Sequence, residues 1–355
     1  MLKVSAGNNR GTALLITLTI TTLLIATALE LNRRGRAAVV SAAVARDRIT
    51  LSNMASSGIN IAMAILVKDK KESDTDSLQE DWADPEKINE IFQDIPFESG
   101  NVKIKISDEL GRIQVNALLK YPGGHEINSL QEQLWDRFLR LVARDESEDE
   151  SYPASVINSV KDWLDSNDDD LITGLVGAES DYYQGFDPPY SCRNGSIFDL
   201  DELLLVKGVT PDIYYGIEQA PSISRYMTIW GMNDESGKNE GKININTAEL
   251  PVITALLPSE REDLAEAIYD YRRETSDSNY VYDLSHAKWN WYKEVPGCKD
   301  LDIDSDLIRI SSDFFRIESA STLNEMKTTV TAVVHREKDK KTNKWECKIL
   351  SWKTE

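Results

Sequence analysis

From Thr12 to Leu29 the chain reads TALLITLTITTLLIATAL, without a charge, a proline or a glycine. That length is near the lower limit for a helix crossing ~30 Å of hydrocarbon. Its threonines suit such a helix, because each hydroxyl can bond back to its own backbone. Beyond the span, Val40, Val44, Leu51, Met54, Ile61 and Ile65 recur at steps of three, four or seven, one face of an amphipathic helix. The pattern predicts a single rod from about residue 13 to 68, half in lipid and half packed on a folded body. The charged run KDKKESDTDS ends it.

The period then changes to two. Val102, Ile104 and Ile106 alternate with polar residues in NVKIKIS, which predicts a half-buried strand. Near the other terminus, the stretch from Phe314 to Lys353 reads as three strands with turns around Leu323–Met326 and Lys338–Asn343. Between lie some 200 residues of mainly helical pattern. Leu130, Leu134, Phe138 and Leu141 share a face, and ASVINSVKDWLD and PVITALLPSEREDLAEAIYDYRRE behave similarly. Flanking strands can pair only within one unit, so the helical block is an insertion into a sheet domain.

A short motif occurs twice inside that block. GRIQVNA starts at Gly111 and GKININT at Gly241. Each is followed by an aromatic-Asp-Leu stretch, Phe198–Leu200 or Tyr282–Leu284, and by Val-x-Gly ending at Gly208 or Gly297. The block therefore holds two similar units, the first with a long insertion between about 120 and 195. Asn116, and Asn246 with Thr247, read as helix N-caps, whose side-chain oxygens accept orphan backbone N–H groups.

The net charge is −20. Residues 1–36 hold five bases and one acid, which leaves 35 bases and 59 acids, or −24, for the remainder. Such a surface repels a phosphate backbone and suits divalent cations. Cys192, Cys298 and Cys347 allow at most one intrachain disulfide, with Cys298–Cys347 one option and three scattered thiols the other. The histidines, His125, His286 and His335, stand far apart, and no hydrolase, zincin or dinucleotide motif is present. Nothing here marks an enzyme or a small-molecule site.

A short basic leader ending in Arg10-Gly11 directly before a long apolar helix resembles the type IV pilin class of signals. RGTALLITLTITTLLIA is similar to the start of general secretion pathway protein K, the large minor pseudopilin of type II secretion systems. The resemblance implies cleavage between Gly11 and Thr12 by a prepilin peptidase. It also implies an inner-membrane anchor and a periplasmic body. Ile16 occupies the fifth mature position, where most pilin-class proteins carry Glu; the K subfamily shares this departure. A cleaved secretory signal ending at ATALELNRR is the competing reading. The arginines after the span (Arg33, Arg34, Arg36, Arg46, Arg48) would by themselves place the body in the cytoplasm. The leader resemblance implies the opposite orientation.

The implied fold is α+β: a pilin-like long N-terminal helix plus an antiparallel sheet, with a large inserted helical domain. NINTA…ALLP resembles SAM-like or helix-hairpin-helix units. The chain divides into a leader over 1–11, a membrane helix over 12–29 and an amphipathic extension over 30–68. The sheet body follows over 69–106 and 311–355, and the two helical units over 107–225 and 226–310. The implied function is a structural one, capping the pseudopilus tip with the I and J minor pseudopilins. The Val40, Val44, Leu51, Met54, Ile61 and Ile65 face would be the partner surface. The alternative is a membrane-tethered DNA-uptake protein, but its hairpin, LLPSERED, has three acids and no glycine.

The first unit carries DWLDSNDDDLITGLVGAESDYY. Asp165, Asn167 and Asp169 take positions 1, 3 and 5 of a calcium loop, with Ile172 at position 8. The pattern then breaks at Asp170 and Val176, which replace the expected Gly and Glu. Asp168, Glu179 and Asp181 are the further oxygens that would complete an irregular cage. The other reading is a solvated acidic loop. The stretch DWLDSND…GAESDYY…PPY is similar to one in the K pseudopilins, and that resemblance implies calcium.

Overall fold

The computed structural model describes residues 9–93, 100–120, 124, 126–142, 150–166, 177–217, 221–233, 238–276 and 279–355. Helix α1 (Asn9–Glu72) is the expected rod, 64 residues long. Its first two thirds stand clear of the rest, with Leu14, Leu23, Val39 and Ile49 exposed. Thr17, Thr19, Thr21, Thr22 and Thr27 each donate to a carbonyl three or four residues back, the local satisfaction that a span without water needs. From Leu51 onward one face is buried: Met54, Ala55, Ile59, Ala62 and Leu66. Gly58 lets the helix settle onto the sheet, since a Cβ there would meet the Ser319 hydroxyl at 2.2 Å.

That sheet holds β1 (Asn101–Asp108), β6 (Phe314–Leu323), β7 (Met326–Lys338) and β8 (Trp345–Thr354) in the order β1-β6-β7-β8, all antiparallel. Register runs from Asn101 opposite Thr322 to Asp108 opposite Phe315. The buried positions of β1 are Val102, Ile104, Ile106 and Asp108, the alternation that the period of two predicts. Asn324, at φ 55°, makes the tight β6–β7 turn. Sheet and α1 enclose one core with Trp82, which meets Phe315 edge to face at 5.2 Å.

Everything between β1 and β6 forms a second core. Short helices dominate it: α3 (Ser129–Val142), α4 (Tyr152–Leu164), α5 (Ser180–Tyr183), α6 (Pro211–Tyr215), α7 (Ile223–Tyr226), α8 (Leu250–Leu256) and α9 (Ala265–Tyr271). Helix α2 (Pro85–Gln93) precedes β1. Two parallel two-residue bridges divide this block. Strand β2 (Ile113–Gln114) pairs with β3 (Met227–Thr228), and β4 (Ile243–Asn244) with β5 (Ile308–Arg309). Each copy of the repeated motif thus opens a unit that a later strand closes. The expected limit at 225/226 falls before Met227–Thr228, which pairs back onto the first unit. The sheet part likewise extends to Asp108.

Candidate interaction surfaces and the repeated joint

The repeated motif is built for contact between its own two copies. A Cβ on Gly111 would lie 2.7 Å from Thr247 Oγ1 and 3.2 Å from the Ala248 nitrogen. One on Gly241, at φ +67°, would lie 2.8 Å from the Ala117 methyl and 2.4 Å from Gln131 Nε2. The first residue of each copy therefore sits on the end of the other, and only glycine fits. Gln114 Nε2 donates to the Lys242 carbonyl at 2.9 Å, and the Asn244 amide to the Leu110 carbonyl at 2.7 Å.

The asparagines do something other than cap a helix. Asn116 Nδ2 donates to the carbonyls of Ile197 (3.0 Å) and Ile229 (3.2 Å), and its Oδ1 accepts the Ile197 amide. Asn246 Nδ2 donates to the Ile310 carbonyl at 3.2 Å, and its Oδ1 accepts the Trp291 indole N–H at 2.7 Å. Ile229 and Ile310 both directly follow the closing strand of their unit. Each asparagine pins that strand to the motif. The N-cap reading is thereby overturned; the cap position of α8 is Glu249, without a side-chain cap bond. The later repeats match too. Asp199 and Asp283 each accept the amide two residues on, and Gly208 and Gly297 have φ of 87° and 86°.

A buried polar belt joins the two cores, and the sequence pattern did not disclose it. Asp108 Oδ2 accepts from Asn244 Nδ2 (2.8 Å) and Thr247 Oγ1 (2.6 Å). Asp76 accepts the Ser312 amide and pairs with Arg336, which also holds Asp69 and the Leu66 carbonyl. Glu109 pairs with Arg112 and Arg316. Burial raises the Asp76 and Asp108 carboxyls above their ordinary range, against the pull of their partners. Burial also pushes Glu109 upward, but the two arginines outweigh it and hold it low. Asp69 rises to about 7, chiefly from burial and then from the charges of Glu80 and Asp76. Asp69, Asp76 and Glu80 converge closely enough to hold an ion. Arg336 is already the cation of that cluster.

The sequence-predicted residues fall in different places. Gly11, Thr12 and Ile16 lie in the exposed first turns of α1, with Ile16 58% exposed. Val40 and Val44 are exposed, and Ile61 and Ile65 flank the sheet core, half-buried. Leu51 and Met54 are buried inside the chain, so they are core residues and not partner contacts. The sheet has already covered their side of the helix. Asp165 is buried at the C-terminal end of α4, and Glu179 is the N-cap position of α5. Both Glu179 carboxylate oxygens and Asp165 Oδ2 are withdrawn from solvent, while Asp181 is exposed. Asp162, also buried, accepts the Ala178 amide and ties α4 to this stretch. Asn167, Asp168 and Asp169 lie outside the described residues, as does His125. All three cysteines are free thiols; Cys298 belongs to the second core and Cys347 borders the first, so the candidate bridge is not formed.

Comparison with known proteins follows the same lines. Residues 111–223, the first repeated unit, match the family described as Type II secretion system (T2SS), protein K. The type II secretion system protein K of Aeromonas hydrophila is 28% identical over 155 residues, 42% of this chain and 44% of that one. Its counterpart in Pseudomonas aeruginosa is 25% identical over 222 residues, 59% of this chain and 57% of that one. The matches thus span about half the length of these curated relatives. A chain in the crystal structure of the GspK-GspI-GspJ complex from the enterotoxigenic Escherichia coli type 2 secretion system has the same fold. The TM-score is 0.63 at 16% identity, over 87% of this chain and 97% of that one. In its long N-terminal helix, antiparallel sheet and inserted repeated units, and in the match over residues 111–223, this chain is similar to the type II secretion system protein K family.

Proposed function

We propose that this chain is a minor pseudopilin, anchored by residues 12–29 in the inner membrane, that caps the pseudopilus tip and helps to start its assembly for protein export. One observation carries the reading: the solvent-exposed apolar stretch of α1, including Val39, Val40, Val44 and Ile49, beside a body widened by about 200 inserted residues. Apolar surface on a bare helix is a docking stripe. A body of that width fits the end of a narrow filament and not its repeating shaft. Ile16 agrees: a topmost subunit has no preceding N-terminal amine to neutralise, and an unpaired carboxylate in hydrocarbon is costly. A prepilin peptidase would cut between Gly11 and Thr12, and the body would be periplasmic. The I and J minor pseudopilins are the proposed partners, on Val40, Val44, Ile61 and Ile65. The role is structural and not catalytic, without nucleic acid or small-molecule substrate. Co-expression of the full chain with the I and J proteins, followed by mass measurement in detergent, tests this. A heteromer holding one copy of this chain is expected. A long homopolymer, or no heteromer, would refute it.

The acidic stretch of the first unit is proposed to bind calcium through Asp165, Asn167, Asp168, Asp169, Glu179 and Asp181. Carboxylate and amide oxygens are the donors that a hard cation takes, and Asp165 and Glu179 hold theirs away from water. Bound only by the folded state, the ion would stabilise by ~2.7 kcal/mol at a hundred times its dissociation constant. The melting temperature should rise from EGTA to millimolar Ca²⁺ and should not respond in Asp165→Ala or Glu179→Gln. An unchanged wild-type melt leaves only a solvated loop.

A further inference from the structure

The end of the sheet farthest from the apolar span has the opposite charge to the molecule. Side-chain bonds fix its orientation. Asn324, in the β6–β7 turn, reaches Asp47, whereas Arg336 in β7 reaches Leu66 and Asp69. The β7–β8 turn therefore lies beside the last turns of α1. From Arg336 to Lys348 there are six bases and three acids, in a chain of net charge −20. A cavity of about 680 Å³ opens here, lined by five bases (Arg309, Arg336, Lys338, Lys340 and Lys348) against three acids (Glu240, Asp313 and Glu337), with Trp345 at its side. The Trp345 ring has Lys338 Nζ and Lys70 Nζ each 5.8 Å from its centre.

The cations of this cleft are not equivalent. Arg309 is held by Asp313, and Arg336 by Asp69 and Asp76. Lys338 and Lys348 make no ion pair among the described residues and are exposed. Strand β8 is the outer strand of its sheet, so one line of its backbone donors and acceptors faces outward.

We propose that this cleft docks an extended acidic segment of another polypeptide. Its backbone would run along β8, and its carboxylates, alternating between the two faces of the sheet, would meet Lys338 on the α1 face and Lys348 on the opposite one. Charge complementarity selects the sign of the partner, and an open strand edge selects an extended chain. A phosphate-bearing ligand fits less well. Arginine forks give the bidentate phosphate grip, and both arginines here are occupied by carboxylates. The proposal is independent of the pseudopilin reading, because it uses none of the exposed α1 residues assigned to I and J.

The probe is a fluorescent Glu-Glu-Thr repeat nonapeptide, which as a strand presents Glu on both faces, titrated by anisotropy against the full chain in neutral detergent. Its Gln-Gln-Thr counterpart, inorganic phosphate and a short DNA duplex are the comparisons. The Glu peptide alone should bind, more weakly as salt rises, and Lys338→Glu/Lys348→Glu should weaken it by about tenfold. Lys338→Gln/Lys348→Gln, whose melting temperature should match that of the parent, provides the same reading without charge reversal. Equal binding of Glu and Gln peptides, unchanged affinity in both double variants, or retention of phosphate or DNA in place of the peptide would each overturn the proposal.

Discussion

Asn246 bonds to the indole of Trp291, buried in the second core, and to the carbonyl of Ile310, half-buried against it. Truncating it to alanine would strand the buried Trp291 N–H, while the Ile310 carbonyl keeps the Asp76 amide at 3.0 Å; a buried donor left unpaired costs ~1–3 kcal/mol. Asn246→Ala is therefore expected to lose roughly 1–3 kcal/mol by urea denaturation, and Asn116→Ala a similar amount. A loss under ~0.5 kcal/mol, as at a surface site, would contradict the role assigned to them. The repetition of the motif made these asparagines visible in the sequence. Their partners were not visible, because capping is a local rule and Ile310 lies 64 positions away. The glycines follow the same logic: Gly111 and Gly241 are conspicuous in the pattern, but their need for close approach emerges only when the two copies meet. Leu51 and Met54 show the reverse failure. Periodicity identified an apolar face without saying whether the chain itself or a partner covers it.

Where α1 ends against β7, Asp69, Asp76 and Arg336 form one element-to-element joint, and its charge state depends on pH. The Asp69 carboxyl is raised from an ordinary 3.8 to about 7 by burial and by neighbouring acids. Folding therefore takes up a proton between those values. Stability from this group is complete below pH ~4 and is lost as pH rises through 7. Asp76 and Asp108 are shifted in the same direction, while Glu109, held low by its arginines, is lost as a stabiliser only under acid conditions. The melting temperature should accordingly fall from pH 5 to pH 8, and Asp69→Asn should flatten that slope and raise the melt at pH 8. A slope unchanged in the variant would assign the dependence elsewhere. The elements themselves were legible: α1, the sheet strands and both hairpin turns carry strong periods or turn residues. The belt was not, since Asp76 and Arg336 are 260 positions apart and look like ordinary surface charges in the sequence.

At the scale of the whole molecule, two hydrophobic cores share one chain. The order of motifs predicted this from strands on either side of a helical block. What the sequence left open was how rigidly the insertion is mounted, and the belt of Asp76, Asp108, Asn244 and Arg336 fixes it to the sheet. The acidic stretch was legible from its 1-3-5 spacing and its resemblance, whereas the placement of Asp165 and Glu179 at the ends of two separate helices was not. The long helix has a further geometric consequence. Leu51 is the first buried residue of α1, about 22 residues past the end of the apolar span. At 1.5 Å per residue that interval is roughly 33 Å of bare helix. With the span in lipid, the folded body is held clear of the headgroups, at a height set by helix length alone. Height and azimuth are then coupled: each residue added to or removed from the interval moves the body by ~1.5 Å and turns it by ~100°.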